Sequence, residues 1–240
     1  MELSTSLYNG KGFVKIVDVN PSEIPEGFNS RDAVIANDAK ISTNTEAFKD
    51  NLEVYQFIEK LFEWGHYSPF EQAVLKFRIK APLVVFWQLD RHRTFVYSSQ
   101  LRRSGRYTEF FEDDFYVPKY LDQVVLEGLT FPTTDLYAGK ALEDVIGTSV
   151  MLYREMLANG VAKEAARFVL PAFCLMYEDI VTVNLKNLFH FFALRTDSHA
   201  QLEIRELAKE MMTMTKVLFP YSVKIFAENS KPINYDFNEV

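Results

Sequence analysis

Residues 91–107 read RHRTFVYSSQLRRSGRY and form a cationic segment in a chain whose formal net charge is −7. This stretch, called the basic segment below, contains five arginines and no carboxylate. Hydroxyl side chains lie between the arginines: Thr94, Tyr97, Ser98, Ser99 and Ser104. Because the planar donor fork of arginine fits phosphate oxygens, the segment predicts a site for a phosphorylated small molecule or a nucleic acid. A solvated basic loop that pairs with acidic neighbours is the alternative, and the segment alone does not decide between the two.

The composition around this segment is that of a globular protein. The chain has 240 residues, of which 48% are hydrophobic and 25% charged, which excludes a disordered tail protein. Aromatic residues make up 15% of the chain, and such a share predicts a large core or extensive subunit contacts. The negative net charge argues against a general nucleic-acid binder, so no stable nucleic-acid partner is expected.

Cysteine usage and hydropathy indicate a cytoplasmic protein. Cys174 is the only cysteine, so neither an internal disulfide nor a cysteine-based zinc site can form. It lies in the apolar run 172–176, where a buried small hydrophobe is favoured over a nucleophile. The N-terminus lacks the apolar core of a signal peptide. The apolar run 82–87 is too short to cross a membrane, so no membrane partner is expected.

Hydrophobic periodicity predicts a mixture of strands and helices. Alternating or β-branched residues indicate strands over 12–19, 73–80 and 173–183. Spacings of three and four residues indicate helices over 50–64, 83–91, 137–159, 163–168, 184–195 and 197 to about 218, with helical turns over 32–37. The ranges 21–30 and 107–134 are predicted to be irregular, because prolines and glycines interrupt them.

Polar residues near two of the predicted helices suggest functional positions. Gln88 and Arg91 are three residues apart and share a helix face, so they can reach the same ligand. Asp197 or Ser198 is predicted to cap the last of these helices. His199 and Glu203 lie one turn apart, which is metal-ligand spacing. No third ligand follows at a recognisable spacing, so no metal site is predicted and a hydrogen-bonded pair that orients Arg195 or a nearby loop is favoured.

Several motifs, taken together and in order, resemble the flavin-dependent thymidylate synthase family. They cover about residues 11–220 and comprise the strand Gly12–Asn20, Gly65-His-Tyr-Ser-Pro-Phe-Glu71, Gln88-x-x-Arg-His-Arg93, Ser104-Gly-Arg-Tyr107, Glu164-Ala-Ala-Arg-Phe-Val-Leu-Pro171, Asn184, and Leu194-Arg-x-Asp-x-His-Ala-Gln-x-Glu-Ile204. A lone Arg-His-Arg would be a weak signal, whereas the ordered series is specific.

The resemblance implies an α+β fold in which residues 1–240 form a single domain, with a central antiparallel or mixed sheet flanked by helices. It also implies an FAD-dependent methyltransferase that makes dTMP from dUMP. Methylenetetrahydrofolate would donate the carbon and NADPH would be the reductant, while FAD carries the hydride and relays the methylene. Members of the family are homotetramers whose active sites draw residues from several subunits.

Roles for individual residues follow from the same resemblance. The catalytic group would be Arg195, which would face the pyrimidine and stabilise its anion, and His66 would lie by the flavin and the folate. The residues assigned to FAD are Ser42, Ser68, Arg91, His92, Arg93, Asn184, Lys186 and His190. The residues assigned to dUMP are Gln88, Arg91, Ser104, Gly105, Arg106, Arg167 and Arg195, with the arginines mainly at the phosphate. Ser104 would be a phosphate ligand rather than a nucleophile, because no base lies at a matching spacing.

Two departures from the family pattern fall near the flavin and the base. Positions 94–103 separate Arg93 from Ser104, which is about two or three residues more than the family usually has. Lys186 stands where an arginine is expected and keeps the charge without the bidentate fork. A pyrimidine-nucleotide hydroxymethylase or a cytosine-nucleotide enzyme of the same fold therefore remains an alternative. A non-catalytic nucleotide- or RNA-binding module is a second one.

Overall fold

The computed structural model describes residues 3–43, 45–99, 105–126 and 137–229, and their centre is an antiparallel sheet. Five strands follow the order β1-β2-β3-β5-β4, and every neighbouring pair is antiparallel. The strands are β1 (Ser4–Leu7), β2 (Gly12–Asn20), β3 (Val74–Pro82), β4 (Val96–Ser99) and β5 (Met176–Asn184). The antiparallel form of the α+β prediction is therefore confirmed.

Helices precede, follow and connect these strands. They are α1 (Asp32–Lys40), α2 (Asn51–Glu63), α3 (Leu83–Leu89), α4 (Ala138–Ala158), α5 (Lys163–Ala166), α6 (Leu185–Arg195), α7 (Leu202–Leu218) and α8 (Pro220–Asn229). Within the described ranges, no helix is both long and apolar enough to cross a membrane.

The apolar residues whose spacing predicts strands and helices are buried in the structure. On β3, Leu75, Phe77 and Ile79 are fully buried, as expected for alternate residues on the inner face of a strand. On α2, Val54 and Ile58 are fully buried and face the core one turn apart. Asp50 caps this helix, because its side chain accepts a hydrogen bond from the backbone N–H of Glu53 at 2.9 Å.

Two predicted boundaries differ from the structure. Neither Asp197 nor Ser198 caps α7, whose first residue is Leu202 and whose N-cap is Gln201. The Asp197 carboxylate instead accepts a hydrogen bond from the backbone N–H of His199 at 2.8 Å, before the helix begins. The strand predicted from Phe173 begins only at Met176, because residues 172–174 form a 3₁₀ turn. Residues 127–134 of the range 107–134, predicted to be irregular, lie outside the described residues.

The basic segment contributes an edge strand. In β4, Val96 pairs with Thr182, Tyr97 with Val181 and Ser99 with Ile180. Part of the unusual length between Arg93 and Ser104 is therefore absorbed by sheet pairing. Residues 100–104 lie outside the described ranges.

A buried carboxylate fixes the C-terminal helix against the N-terminal half of the chain. Asp32 is fully buried at the start of α1. It accepts from the backbone N–H groups of Tyr221 and Ser222, each at 3.0 Å. The hydroxyls of Ser222 and Ser30 also donate to it. Burial raises the pKa of this carboxyl even though all these hydrogen bonds oppose the shift.

Replacing this carboxylate should destabilise the protein strongly. Asp32→Ala leaves two backbone N–H groups and two hydroxyls without their acceptor, and we expect a loss of about 3 kcal/mol in the free energy of unfolding. Urea unfolding followed by circular dichroism measures it. Asp38→Ala, an exposed site on the same helix, is the matched control. Equal losses in both variants would contradict the role given to Asp32.

Candidate active site

The predicted catalytic arginine contacts the basic segment. Arg195 ends α6, and His92 follows α3 by three residues. The Nε of Arg195 donates to Nε2 of His92 at 3.0 Å. Since Nε2 accepts, the ring proton of a neutral His92 lies on Nδ1. The hydrogen bond uses only one of the five N–H donors of the guanidinium, and the other four sit on its two Nη nitrogens.

His92 lies in an environment that keeps it neutral. Its side chain is buried, and its ring packs edge-on against Phe191 with 5.0 Å between ring centroids. Burial lowers the pKa of His92 from 6.5 to about 4, and the nearby charges of Arg195 and His190 act in the same direction. A neutral imidazole can accept from a guanidinium, whereas an imidazolium would repel it.

Cationic groups crowd the outer side of this pair. Burial lowers the pKa of Arg195, and the positive charge of Arg91 lowers it further. Arg91 and Arg93 are both exposed on either side of the buried His92. Neighbouring guanidinium groups at one end of a helix are suited to an anion such as phosphate. The arrangement brings Arg91, His92, His190 and Arg195 close together.

A groove beside α6 contains two of the residues assigned to the flavin. It has a volume of about 300 Å³, and its wall includes Lys186, His190, Tyr67 and Phe189. Lys186 Nζ pairs with Glu71 Oε1, which ties α6 to the 3₁₀ turn Ser68–Glu71. Aromatic walls with a few convergent donors are suited to a flat heteroaromatic ring that bears carbonyl groups.

A second groove brings two distant serines together. Ser42 and Ser68 both line a groove of about 570 Å³, together with Pro69 and Gln72. Asn184 lies elsewhere as the N-cap of α6, where its side-chain oxygen accepts from the N–H of Asn187 at 2.9 Å. Asn184 therefore has a structural role in starting the helix that bears Lys186 and His190.

The residues assigned to the nucleotide are partly brought together. Gly105 packs against Arg167: a Cβ built on Gly105 would lie 3.2 Å from Cδ of Arg167 and 2.6 Å from the Phe110 ring. Only glycine fits this close approach. Arg106 lies over the ring of Tyr107, with 5.8 Å to its centroid. Ser104 lies outside the described residues.

His66 lies at the surface, two residues before Ser68. Its ring packs edge-on against Trp64 at 5.8 Å between centroids. Its side chain is exposed, and it is absent from the walls of both grooves described above.

The predicted pairing of His199 with Glu203 is wrong. His199 Nδ1 lies 2.8 Å from Asp197 Oδ1, and its side chain is 95% exposed. Glu203 is buried in the first turn of α7 and accepts a hydrogen bond from Nε2 of Gln201 at 2.7 Å. The two residues do not share a face, because α7 begins only after His199. In the part of the chain that the structure describes, no group of three or more His, Cys, Asp or Glu residues could hold a metal ion.

Sequence reasoning missed a hydrogen-bonded network that starts at Glu203. The Gln88 amide, assigned to dUMP, donates from Nε2 to Oε1 of Gln201 at 2.7 Å. The hydroxyl of Tyr116 lies 3.4 Å from Oε1 of Glu203. Gln201 and Glu203 lie two residues apart in the sequence, but nothing in their spacing indicates that Gln88 joins them.

Cys174 is less buried than predicted, but its thiol is not activated. It is half-buried beside the second core cluster, which packs around Tyr153 and Phe115. Burial raises the pKa of its thiol, so it is a poor nucleophile near neutral pH.

Comparison with known proteins relates these features to a family. The family model "Thymidylate synthase complementing protein" matches residues 26–221. A flavin-dependent thymidylate synthase of Kosmotoga olearia is 35% identical over 223 residues, which cover 90% of each chain. The enzyme of the same description from Thermotoga neapolitana is 35% identical over 219 residues, covering 90% of this chain and 91% of that one.

A solved structure supports the same relationship. The UMP/dUMP methylase PolB from Streptomyces cacaoi, bound with 5-Br dUMP, superposes with a TM-score of 0.74 and 26% sequence identity. The match covers 91% of this chain and 96% of that chain. Its sheet and helices therefore follow the same course as those described here.

The neutral state of His92 can be measured directly. We expect the Cε1–H resonance of His92, assigned by its loss in His92→Gln, to titrate with a pKa of about 4. Between pH 6.5 and 4 the unfolded chain binds a proton here that the folded chain does not, so stability should fall on acidification over that window. Titration near 6.5 would show that His92 is not held neutral by its surroundings.

Proposed function

The chain belongs to the flavin-dependent thymidylate synthase family, and from this membership we propose how its residues carry out the reaction. It is an FAD-dependent methyltransferase that converts dUMP to dTMP, with methylenetetrahydrofolate as carbon donor and NADPH as reductant. The observation that carries the assignment of its site is the hydrogen bond from Arg195 to a buried, neutral His92. It holds a guanidinium in one orientation beside the exposed cations of the basic segment.

Arg195 is the group that stabilises the reacting pyrimidine. Attack by the pyrimidine on an electrophilic carbon requires electron density at C5, which grows when negative charge develops on the ring. A guanidinium remains charged throughout and favours that anion. His92 fixes the side chain through Nε, so the Nη nitrogens are the donors directed to the base. Holding donors in place before the reaction is what makes such stabilisation effective.

FAD is held by donors and aromatic walls from several elements. Lys186 and His190 in the groove beside α6, and Ser42 and Ser68 in the second groove, would hold the flavin. Arg91, His92 and Arg93 would also bind FAD, and Asn184 orients α6 as its N-cap. When bound, FAD would supply the chemistry that carries hydride from NADPH and relays the methylene. His66 would lie beside the flavin and the folate.

The nucleotide phosphate is bound by arginines close to Gly105. Arg167 lies against Gly105, and Arg106 follows it in the chain. Ser104 adds a hydroxyl, and Arg91 reaches the nucleotide from the other end of the basic segment. Gln88 contacts the pyrimidine. This division gives phosphate and base separate binding groups within one site.

Residues from different subunits complete each site. In one chain, both grooves are open at the surface and the side chain of His66 is exposed, so a single copy does not enclose a ligand. We therefore propose a homotetramer with shared active sites. We also propose that residues 1–240 form one domain of a cytoplasmic enzyme.

The purified protein should be yellow and should complete a defined redox cycle. We expect NADPH to reduce the bound FAD and reoxidation to require both dUMP and methylenetetrahydrofolate. Mass spectrometry should show a product in which the base has gained a methyl group. A hydroxymethyl product would support the hydroxymethylase alternative, and a colourless protein that takes up no FAD would support a binding module.

Removing the guanidinium should stop the reaction and leave the cofactor in place. For Arg195→Ala we expect turnover of dUMP to fall by about 1,000-fold, since the developing charge loses its main partner. The flavin absorbance per subunit should not change. Arg154→Ala, at an exposed position on α4 whose side chain lies over Phe111, is the control and should retain activity. Full turnover in Arg195→Ala would refute the catalytic role.

A further inference from the structure

A chain of side-chain hydrogen bonds links the buried start of α7 to the end of α3. Glu203 is 1% exposed. Its Oε2 accepts from Nε2 of Gln201 at 2.7 Å. The Oε1 of Gln201 in turn accepts from Nε2 of Gln88, also at 2.7 Å. Three side chains therefore connect the core to a residue that is assigned to the nucleotide.

Tyrosine hydroxyls occupy the other side of the carboxylate. Tyr116 lies 3.4 Å from Oε1 of Glu203, and the Tyr120 hydroxyl is also hydrogen-bonded to this side chain. Burial raises the pKa of both phenols, and the charge of Glu203 raises it further. Both hydroxyls therefore stay protonated and donate to the carboxylate. The hydroxyl of Tyr8 donates to the backbone oxygen of Glu203 at 3.1 Å.

The carboxylate determines the direction of the whole chain of bonds. An ionised carboxylate has no donor, so Gln201 must turn its amide nitrogen towards Glu203. Its oxygen then faces α3, and Gln88 must turn its own amide nitrogen towards that oxygen. The reversed arrangement would place an amide oxygen of Gln201 against a carboxylate oxygen. Each amide in the series therefore has a single favoured orientation.

A fixed amide distinguishes uracil from cytosine. Uracil offers a donor at N3 and an acceptor at position 4, whereas cytosine offers an acceptor at N3 and a donor at position 4. An amide that faces this edge must reverse its oxygen and nitrogen to exchange one base for the other. With Gln88 held in one orientation, the wrong base loses hydrogen bonds and leaves polar groups unpaired.

We propose that Glu203 is a positioning residue which, through Gln201, holds the Gln88 amide in the orientation that selects uracil over cytosine nucleotides. The inference rests on the proposed function in one respect, namely that Gln88 contacts the pyrimidine. Glu203 itself touches no substrate, because it acts two side chains away from the base.

Replacing the Glu203 carboxylate by an amide keeps the size of the side chain but no longer fixes which way the hydrogen bonds run. In Glu203→Gln, position 203 can donate to Gln201 as well as accept from it, so both orientations of the Gln88 amide become accessible. We expect the ratio of the Kd of dCMP to that of dUMP, measured by titration of the FAD-loaded holoenzyme, to fall by about tenfold, the equivalent of one hydrogen bond. The KM for dUMP should rise while kcat changes little.

Two further variants separate positioning from a general effect on the fold. Glu206→Gln alters a half-buried carboxyl three residues further along α7 that takes no part in the chain of bonds, and it should leave the ratio unchanged. Gln201→Leu breaks the connection at an exposed side chain, so it tests the idea even if Glu203→Gln does not fold. It should lower the ratio to the same extent.

The outcomes distinguish this inference from the proposed function. If the wild-type holoenzyme makes dTMP but Gln201→Leu and any folded Glu203→Gln keep the wild-type ratio, the positioning role is overturned and the function stands. Equal affinity of the wild type for dUMP and dCMP would also overturn it. If the wild type binds neither nucleotide and forms no dTMP, the proposed function itself fails. A lower ratio of the Kd of dCMP to that of dUMP in both Glu203→Gln and Gln201→Leu, with no change in Glu206→Gln, supports the proposal.

Discussion

The pairing of β3 with β5 determines where the functional residues meet. The two strands are in register over nine residues, from Val74 opposite Asn184 to Pro82 opposite Met176, a length of about 30 Å. Because they are antiparallel, the helices that follow them, α3 and α6, start at opposite ends of the pair. The eleven residues of α6 span about 16 Å and the seven of α3 about 10 Å. The contact between His92 and Arg195 is where the two segments converge. A shift of register would separate these residues.

The same pairing explains why the sequence predicts the fold better than the site. The strands and the helix α2 follow from local spacing, since alternation and three-to-four periodicity directly reflect which face is buried. The contact of His92 with Arg195 joins residues 103 positions apart, and no local pattern indicates it. Motif resemblance gave both residues their roles, and the structure adds that they contact each other. At α7 the local sequence predicts the wrong helix start. Asp197 is a residue type that often caps helices, but here it binds His199 before the helix begins.

Burial and neighbouring positive charge lower the pKa of both titratable groups at the site, but only one of the two groups loses its charge. Arg195 stays a cation despite partial burial because the proton affinity of guanidinium is very high. His92 loses its charge under similar conditions because an imidazole has a pKa near neutrality and is easily shifted. The result is a donor and an acceptor at 3.0 Å rather than two repelling cations. His92 therefore orients the Arg195 guanidinium with a neutral acceptor, which does not compete with an anionic nucleotide as a carboxylate would.

The carboxylate that we propose positions Gln88 is itself buried. Glu203 lies in the core among tyrosine hydroxyls, and the amides of Gln201 and Gln88 continue the chain of hydrogen bonds away from it. Because an ionised carboxylate has no donor, Glu203 determines the orientation of both amides in the proposed arrangement. Each amide carries an acceptor oxygen on one side and a donor nitrogen on the other. Fixing the orientation of one amide therefore fixes the orientation of the next, and no charge is transferred. A buried acceptor-only group can therefore impose specificity on a pocket without adding negative charge to it. In the proposed site, the charge that binds the phosphate and the polarity that distinguishes the base come from separate groups, the arginines near Gly105 and the amide of Gln88.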